Sequence, residues 1–254
     1  MKKNITSILL ISILILTNSF GIVNISYSQI NSYSESINWS GYILYDKPYT
    51  NSYINGVLSS AYIKTINKFD NENHGGFSVW AGISPNPEGL ELFQGGYHAF
   101  YSPTSTESIA KRYYIFVMHY IAGSNNCTFR ATQVSPNQEV NIIITQWGDT
   151  PWHYLVEVVA DDKYVVFDED AVAGQRLRYA TFITEIPPES PPAIPADNYV
   201  TQYDMYLFTD IGQHNASYYI QQGWYIRDYL VRDDIEVWPY FFESSNTIKY
   251  VFRY

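Results

Sequence analysis

The chain has one cysteine, Cys127, so no internal disulfide can form and stability must rest on packing and hydrogen bonds. Basic residues are also scarce. The 15 Lys+Arg stand against 25 Asp+Glu, a formal net charge of -10, which argues against nucleic acid as a partner. No Gly-rich phosphate loop occurs. His74, His98, His119, His153 and His214 are scattered without zinc-motif spacing, so no metal and no cofactor is expected. No Ser-His-Asp grouping stands out, because such a set can be assembled from almost any sequence of this kind. The apolar run Ile8 to Leu16, behind Lys2 and Lys3, is shorter than a membrane span requires. With the small residues Ser26-Tyr27-Ser28 after it, the run reads as a signal peptide over residues 1–28, an uncleaved anchor being the alternative. The expectation is a secreted or cell-surface protein with no membrane contact after cleavage.

What is abundant is aromatic: 25 Tyr, 13 Phe and 6 Trp. After a polar, Ser-rich flexible leader at 29–37, short β-branched and aromatic runs alternate with Asn, Gly, Pro and Asp clusters to the C-terminus. That spacing, with little helical periodicity, predicts one all-β domain over 38–254, a sandwich or barrel. Strands are expected near Tyr53–Lys64, Phe77–Ile83, Leu90–Tyr101, Arg112–Ile121, Glu139–Trp147, Tyr154–Ala160, Lys163–Phe167, Arg176–Glu185, Tyr199–Phe208, Tyr218–Ile226 and Thr247–Tyr254. Asp161-Asp162 sits where a tight hairpin turn belongs, and the prolines from Pro187 to Pro195 form a stiff, extended loop. Asn126-Cys127-Thr128 and Asn215-Ala216-Ser217 match the glycosylation acceptor pattern. Few bases and many neutralisable carboxylates suit an acidic exterior, and equally an ordinary secreted β-protein.

The stretch Gly76 to Gly96 holds two strand runs parted by Ser-Pro-Asn-Pro-Glu-Gly. Side-chain alternation gives Phe77 and Val79 a core face, and Ser78 and Trp80 a face that could line a cleft. Gln94, before two glycines, sits where another backbone or a ligand can approach closely. Two readings of Gln94 stand, a buried amide bonded between strands or a cleft residue.

Asn38-Trp39-Ser40-Gly41, Trp80-Ala81-Gly82-Ile83 and Leu92-Phe93-Gln94-Gly95-Gly96 resemble, in order, three segments of the eqolisin family of glutamic peptidases. In the third, Phe93 is inserted between the leucine and the glutamine. The resemblance implies a concanavalin-like antiparallel β-sandwich and a secreted acid endopeptidase, in which a glutamate activates water and the glutamine amide stabilises the oxyanion. The glutamate's segment best matches Ala180-Thr181-Phe182-Ile183, which puts Thr181 at its position, and a hydroxyl cannot serve as a carboxylate base. Glu185 is the nearest substitute, on the same strand face but about 13 Å further along. Met118 stands where the resemblance implies a second cleft glutamate.

Two functions follow. The first is a glutamic-type acid endopeptidase on polypeptide, with Gln94 and Glu185 catalytic and Trp39 and Trp80 forming an aromatic wall. The second is a binding or surface-structural module for peptide or glycan that kept the sandwich and lost the catalysis. On the bland reading, Trp39 and Trp80 fill core and Glu185 is a solvated strand-end carboxylate. A carboxylate within hydrogen-bond reach of the Gln94 amide would favour the enzyme.

Overall fold

The computed structural model describes residues 33–36, 38–45, 53–67, 75–87, 91–103, 109–122, 127–148, 152–171, 176–186 and 193–253, all within one compact unit, Asn31–Tyr254. The expected signal peptide, the prolines at 187–192, His74 and Asn126 lie outside the described residues.

In chain order the strands are β1 (Tyr33–Ser36), β2 (Trp39–Tyr45), β3 (Ile54–Tyr62), β4 (Ile66–Asn67), β5 (Gly75–Ser84), β6 (Glu91–Pro103), β7 (Ile109–Ile121), β8 (Cys127–Val134) and β9 (Glu139–Trp147). They continue with β10 (His153–Ala160), β11 (Lys163–Asp170), β12 (Tyr179–Glu185), β13 (Ile194–Pro195), β14 (Tyr199–Thr209) and β15 (Gly212–Asn215). A short helix α1 (Ala216–Gln221) precedes β16 (Tyr225–Arg232), β17 (Ile235–Phe242) and β18 (Thr247–Arg253).

One ladder runs β11-β10-β9-β3-β14-β18-β17-β16-β2-β12-β5-β6-β7-β8, with β1 added parallel to β16 and β15 added to β14. The ladder folds back on itself: β11 packs on β7 and β8, β10 on β6 and β7, and β9 and β3 on β5. The result is the antiparallel sandwich expected from the sequence. The hairpin predicted at Asp161-Asp162 joins β10 to β11, with Asp161 at φ 47° in place of the usual glycine.

The interior is built from one parity of each strand. Phe77, Val79, Ala81 and Ile83 of β5 and Phe93 and Tyr97 of β6 meet Ile142, Ile144, Val156 and Val158 of the other layer. Gly95 lies on this inward side. A Cβ there would come within 2.6 Å of Val158 Cγ2 and 3.1 Å of Val156 Cγ1, so its bare backbone lets the layers close. Approach by another layer, not by a ligand, accounts for this glycine.

Four differences from the predicted elements have physical causes. The expected strand Tyr218–Ile226 begins as helix α1 because Asn215 Oδ1 accepts the Tyr218 N–H as an N-cap, and the strand follows at Tyr225. Strand β8 was missed because its side chains are mostly exposed and carry little apolar alternation. Strand β17 was missed because Pro239 interrupts its pattern. Strand β2 was read only as a motif, being seven residues with Gly41 inside.

Candidate active site

Directly opposed residues of an antiparallel ladder share a face. Across β8, β7, β6, β5, β12 and β2, one rung reads Phe129–Met118–Gln94–Gly82–Thr181–Ile43. Thr181 therefore lies two strands from Gln94, with Gly82 between them in the rung. A second rung, Phe116–Gly96–Trp80–Ile183–Gly41, continues by register to the buried Asp228 of β16. A third reads Tyr114–His98–Ser78–Glu185–Trp39.

These rungs carry an apolar cluster separate from the main core. Trp80, Phe116 and Ile183 are buried in it, with Trp39, Leu92 and Met118 packed against them. Trp39 and Trp80 thus belong to the outward face of this layer. Phe129, stacked on Phe116 at 6.0 Å, is exposed at its margin.

Polar groups are set into this wall. Gln94 is buried, its Nε2 donates to Met118 Sδ at 3.8 Å, and its Oε1 has no protein partner. Thr181 Oγ1 is likewise buried and unpartnered. It reaches over Gly82, where a Cβ would meet it at 2.9 Å. Two orphan oxygens in one rung, Gln94 Oε1 and Thr181 Oγ1, call for donors.

Glu185 is tied elsewhere. Its Oε2 accepts the Trp80 indole N–H at 3.0 Å. Burial raises its carboxyl above the ordinary range, and the indole bond offsets part of that rise. Gln94 and Glu185 share the face but stand four residues apart along the strands, about 13 Å. The structure brings Glu185 to Trp80, and Gln94 to Met118.

In the third rung, Ser78 Oγ lies 2.8 Å from His98 Nδ1. Burial lowers the His98 imidazole to about 4, so it stays neutral in mild acid. Behind Trp80, in the interior, Gln202 Nε2 donates to Ser59 Oγ at 3.0 Å and to the Trp80 carbonyl at 3.3 Å, while Tyr250 OH donates to Gln202 Oε1 at 3.0 Å. This buried network anchors the backbone at Trp80. Sequence reading missed His98, Asp228 and Gln202. For His98 a signal was present, because the hairpin through Gly76–Gly96 has Ser78 and His98 on one parity.

The architecture is an antiparallel sandwich whose aromatic outward face holds a buried glutamine amide, and solved structures share its fold. The chain is similar to Scytalido-glutamic peptidase crystallised with a peptide-based transition-state analogue (14% identity, TM-score 0.60) and with a transition-state analogue inhibitor (14%, 0.61). It is also similar to SCP-B, a member of the eqolisin family of peptidases, in complex with the tripeptide Ala-Ile-His (13%, 0.57). Each likeness covers 87% of this chain and 100% of the other. The fold is that of the glutamic peptidases. No family model and no curated protein matches the sequence.

Proposed function

We propose that the protein is secreted and holds extended polypeptide against this aromatic face in acidic surroundings, as a binding module on the peptidase sandwich. The carrying observation is the Gln94 rung, which offers a threonine hydroxyl and a thioether where glutamic-type hydrolysis needs a carboxylate beside the amide. Half-buried Trp39 and exposed Phe129, packed on the buried Trp80 and Phe116, supply apolar contact to a bound strand. A second reading is glutamic-type endopeptidase action with Gln94 as oxyanion donor and Glu185 as water-activating base. The position of Glu185 on the face that carries Gln94 favours it, and because burial raises that carboxyl it would be ionised as a base only in milder acid than an ordinary glutamate.

The test incubates the purified chain with a denatured protein across an acidic pH series, following tryptophan fluorescence for binding and gel fragments for cleavage. Binding without cleavage, weakened in Trp80→Ala, is the expected result. Cleavage lost in both Gln94→Ala and Glu185→Ala would establish the endopeptidase instead.

A further inference from the structure

We propose that Ser78 and His98 form a nucleophile and base pair, making this face a serine-type acyl-hydrolase site for an ester carbonyl carried by the bound chain, not for its peptide bonds. The proposal rests on the reading that the face takes polypeptide. Ser78 Oγ and His98 Nδ1 are 2.8 Å apart, within the reach a base needs to take a hydroxyl proton. The imidazole is held in place from its own side of the sheet. Gly76 leaves room for it, since a Cβ there would meet His98 Cε1 at 3.0 Å and Nε2 at 3.1 Å, and the Phe100 ring stacks on it at 6.0 Å. Gly76 pairs with Phe100 as Ser78 pairs with His98, so two adjacent rungs build one pocket for the ring. With the proton on Nε2, Nδ1 accepts from Ser78.

The chemistry balances without a co-reactant other than water. Ser78 Oγ bonds to the acyl carbon as its proton passes to His98 Nδ1. The bond to the leaving group then breaks, and that group takes the proton from His98. Water next attacks the acyl-serine and gives a proton to His98, the Oγ–C bond breaks, and Ser78 recovers its proton as the acid departs. Among the described residues, the other titratable or charged groups set by register beside the pair are Glu185 on the β12 side of Ser78, Tyr114 on the β7 side of His98 and Arg112 beyond Phe100, with Asp228 three strands away in the Trp80 rung. The Trp80 indole N–H, now on Glu185 and one rung along the face, is a donor that could turn to a developing oxyanion. Burial raises the Glu185 carboxyl, so it carries its proton into milder acid than an ordinary glutamate, which lessens its repulsion of that charge there.

The experiment treats the full mature chain with a fluorophosphonate probe and reads intact mass and the labelled peptide, with near-UV circular dichroism on each variant. One label per chain on Ser78 is expected, absent in Ser78→Ala and slowed at least about 100-fold in His98→Gln. The labelling rate should fall as pH drops through about 4, where His98 takes its proton. Absence of label on Ser78, or label elsewhere that survives Ser78→Ala, overturns the pair even if peptide still binds. Labelling of Ser78 in a chain that binds no peptide would uphold the pair and sink the polypeptide reading alone.

Discussion

Replacing His119 by phenylalanine should destabilise the sandwich at neutral pH by about 3–5 kcal/mol, the usual cost of stranding a buried charge. His119 Nε2 lies 3.0 Å from Glu91 Oε1 and its Nδ1 lies 2.9 Å from Glu169 Oε2. Ionised carboxylates only accept, so both ring nitrogens must carry protons and the group is an imidazolium between two glutamates. Glu91 is 2% exposed and His119 4%, whereas Glu169 reaches solvent. The trio ties β11 of one layer to β6 and β7 of the other. Phenylalanine keeps the ring stacked on Phe93, now 4.1 Å from the imidazole, so the loss is one of charge more than of volume.

The pH dependence has a definite sign. Burial lowers the His119 pKa, but hydrogen bonds to Glu91 and Glu169 outweigh it and leave the folded value above 6.5. A raised folded value means the contribution is complete below the unfolded value and is lost as pH climbs through the folded one. Calorimetry should therefore show the wild-type Tm declining as pH rises through the raised folded value, a decline that is missing in His119→Phe combined with Glu91→Gln, which has neither charge. At about 2–4 °C per kcal/mol for a domain of this size, the variant's Tm at neutral pH should fall by about 6–20 °C. Adding Glu91→Gln to His119→Phe should restore most of it, since no charge is then stranded. Equal losses with and without the Glu91 carboxylate would refute the electrostatic account.

Three further outcomes are expected. Thr181→Glu puts a carboxylate over Gly82 in the Gln94 rung, and acid-dependent peptide cleavage should appear in assays where the parent shows none. Gly95→Val forces side-chain atoms against Val158 and Val156, and urea unfolding should show a loss of about 1–3 kcal/mol or more. Gln202→Leu leaves Ser59, Tyr250 and the Trp80 carbonyl short of a buried partner, costing about 1–3 kcal/mol by the same measurement and altering the near-UV signal of Trp80.

Alternation along strands was the legible part of the sequence. It gave Phe77 and Val79 a core face and Ser78 and Trp80 a face that could line a cleft, and a separate segment match pointed to Thr181, which the ladder sets in one rung with Gln94 across β5. The insertion of Phe93 becomes intelligible once parity is applied: Phe93 points inward to stack on His119, and Leu92 meets the outward apolar cluster while Gln94 shares its face. What stayed hidden depends on pairings between distant segments. His119 joins Glu91 from 28 residues away and Glu169 from 50. Asp228 reaches the Trp80 rung only because β16 pairs with β2. No local pattern encodes such partners, since ladder order and not sequence spacing brings them together.

The same parity separates what holds the fold from what lines the candidate site, in a chain 14% identical to the peptidase whose fold it shares. Interior packing is carried by the inward residues of β5, β6 and β12, whereas Thr181, Met118, Ser78 and His98 all stand on the outward parity. Exchanging an outward residue removes no methylene from the interior, so the sandwich does not pay the 2–5 kcal/mol or so typical of large-to-small core changes. Selection on the outward face is then free of selection on stability, and fold ceases to predict activity. Trp80 couples the two parities: Gln202 grips its backbone from the interior while its indole holds Glu185 outside. Loss of Gln202 should therefore disturb ligand binding at the face, whereas Gly95→Val, which presses only on the opposite layer, should lower stability first.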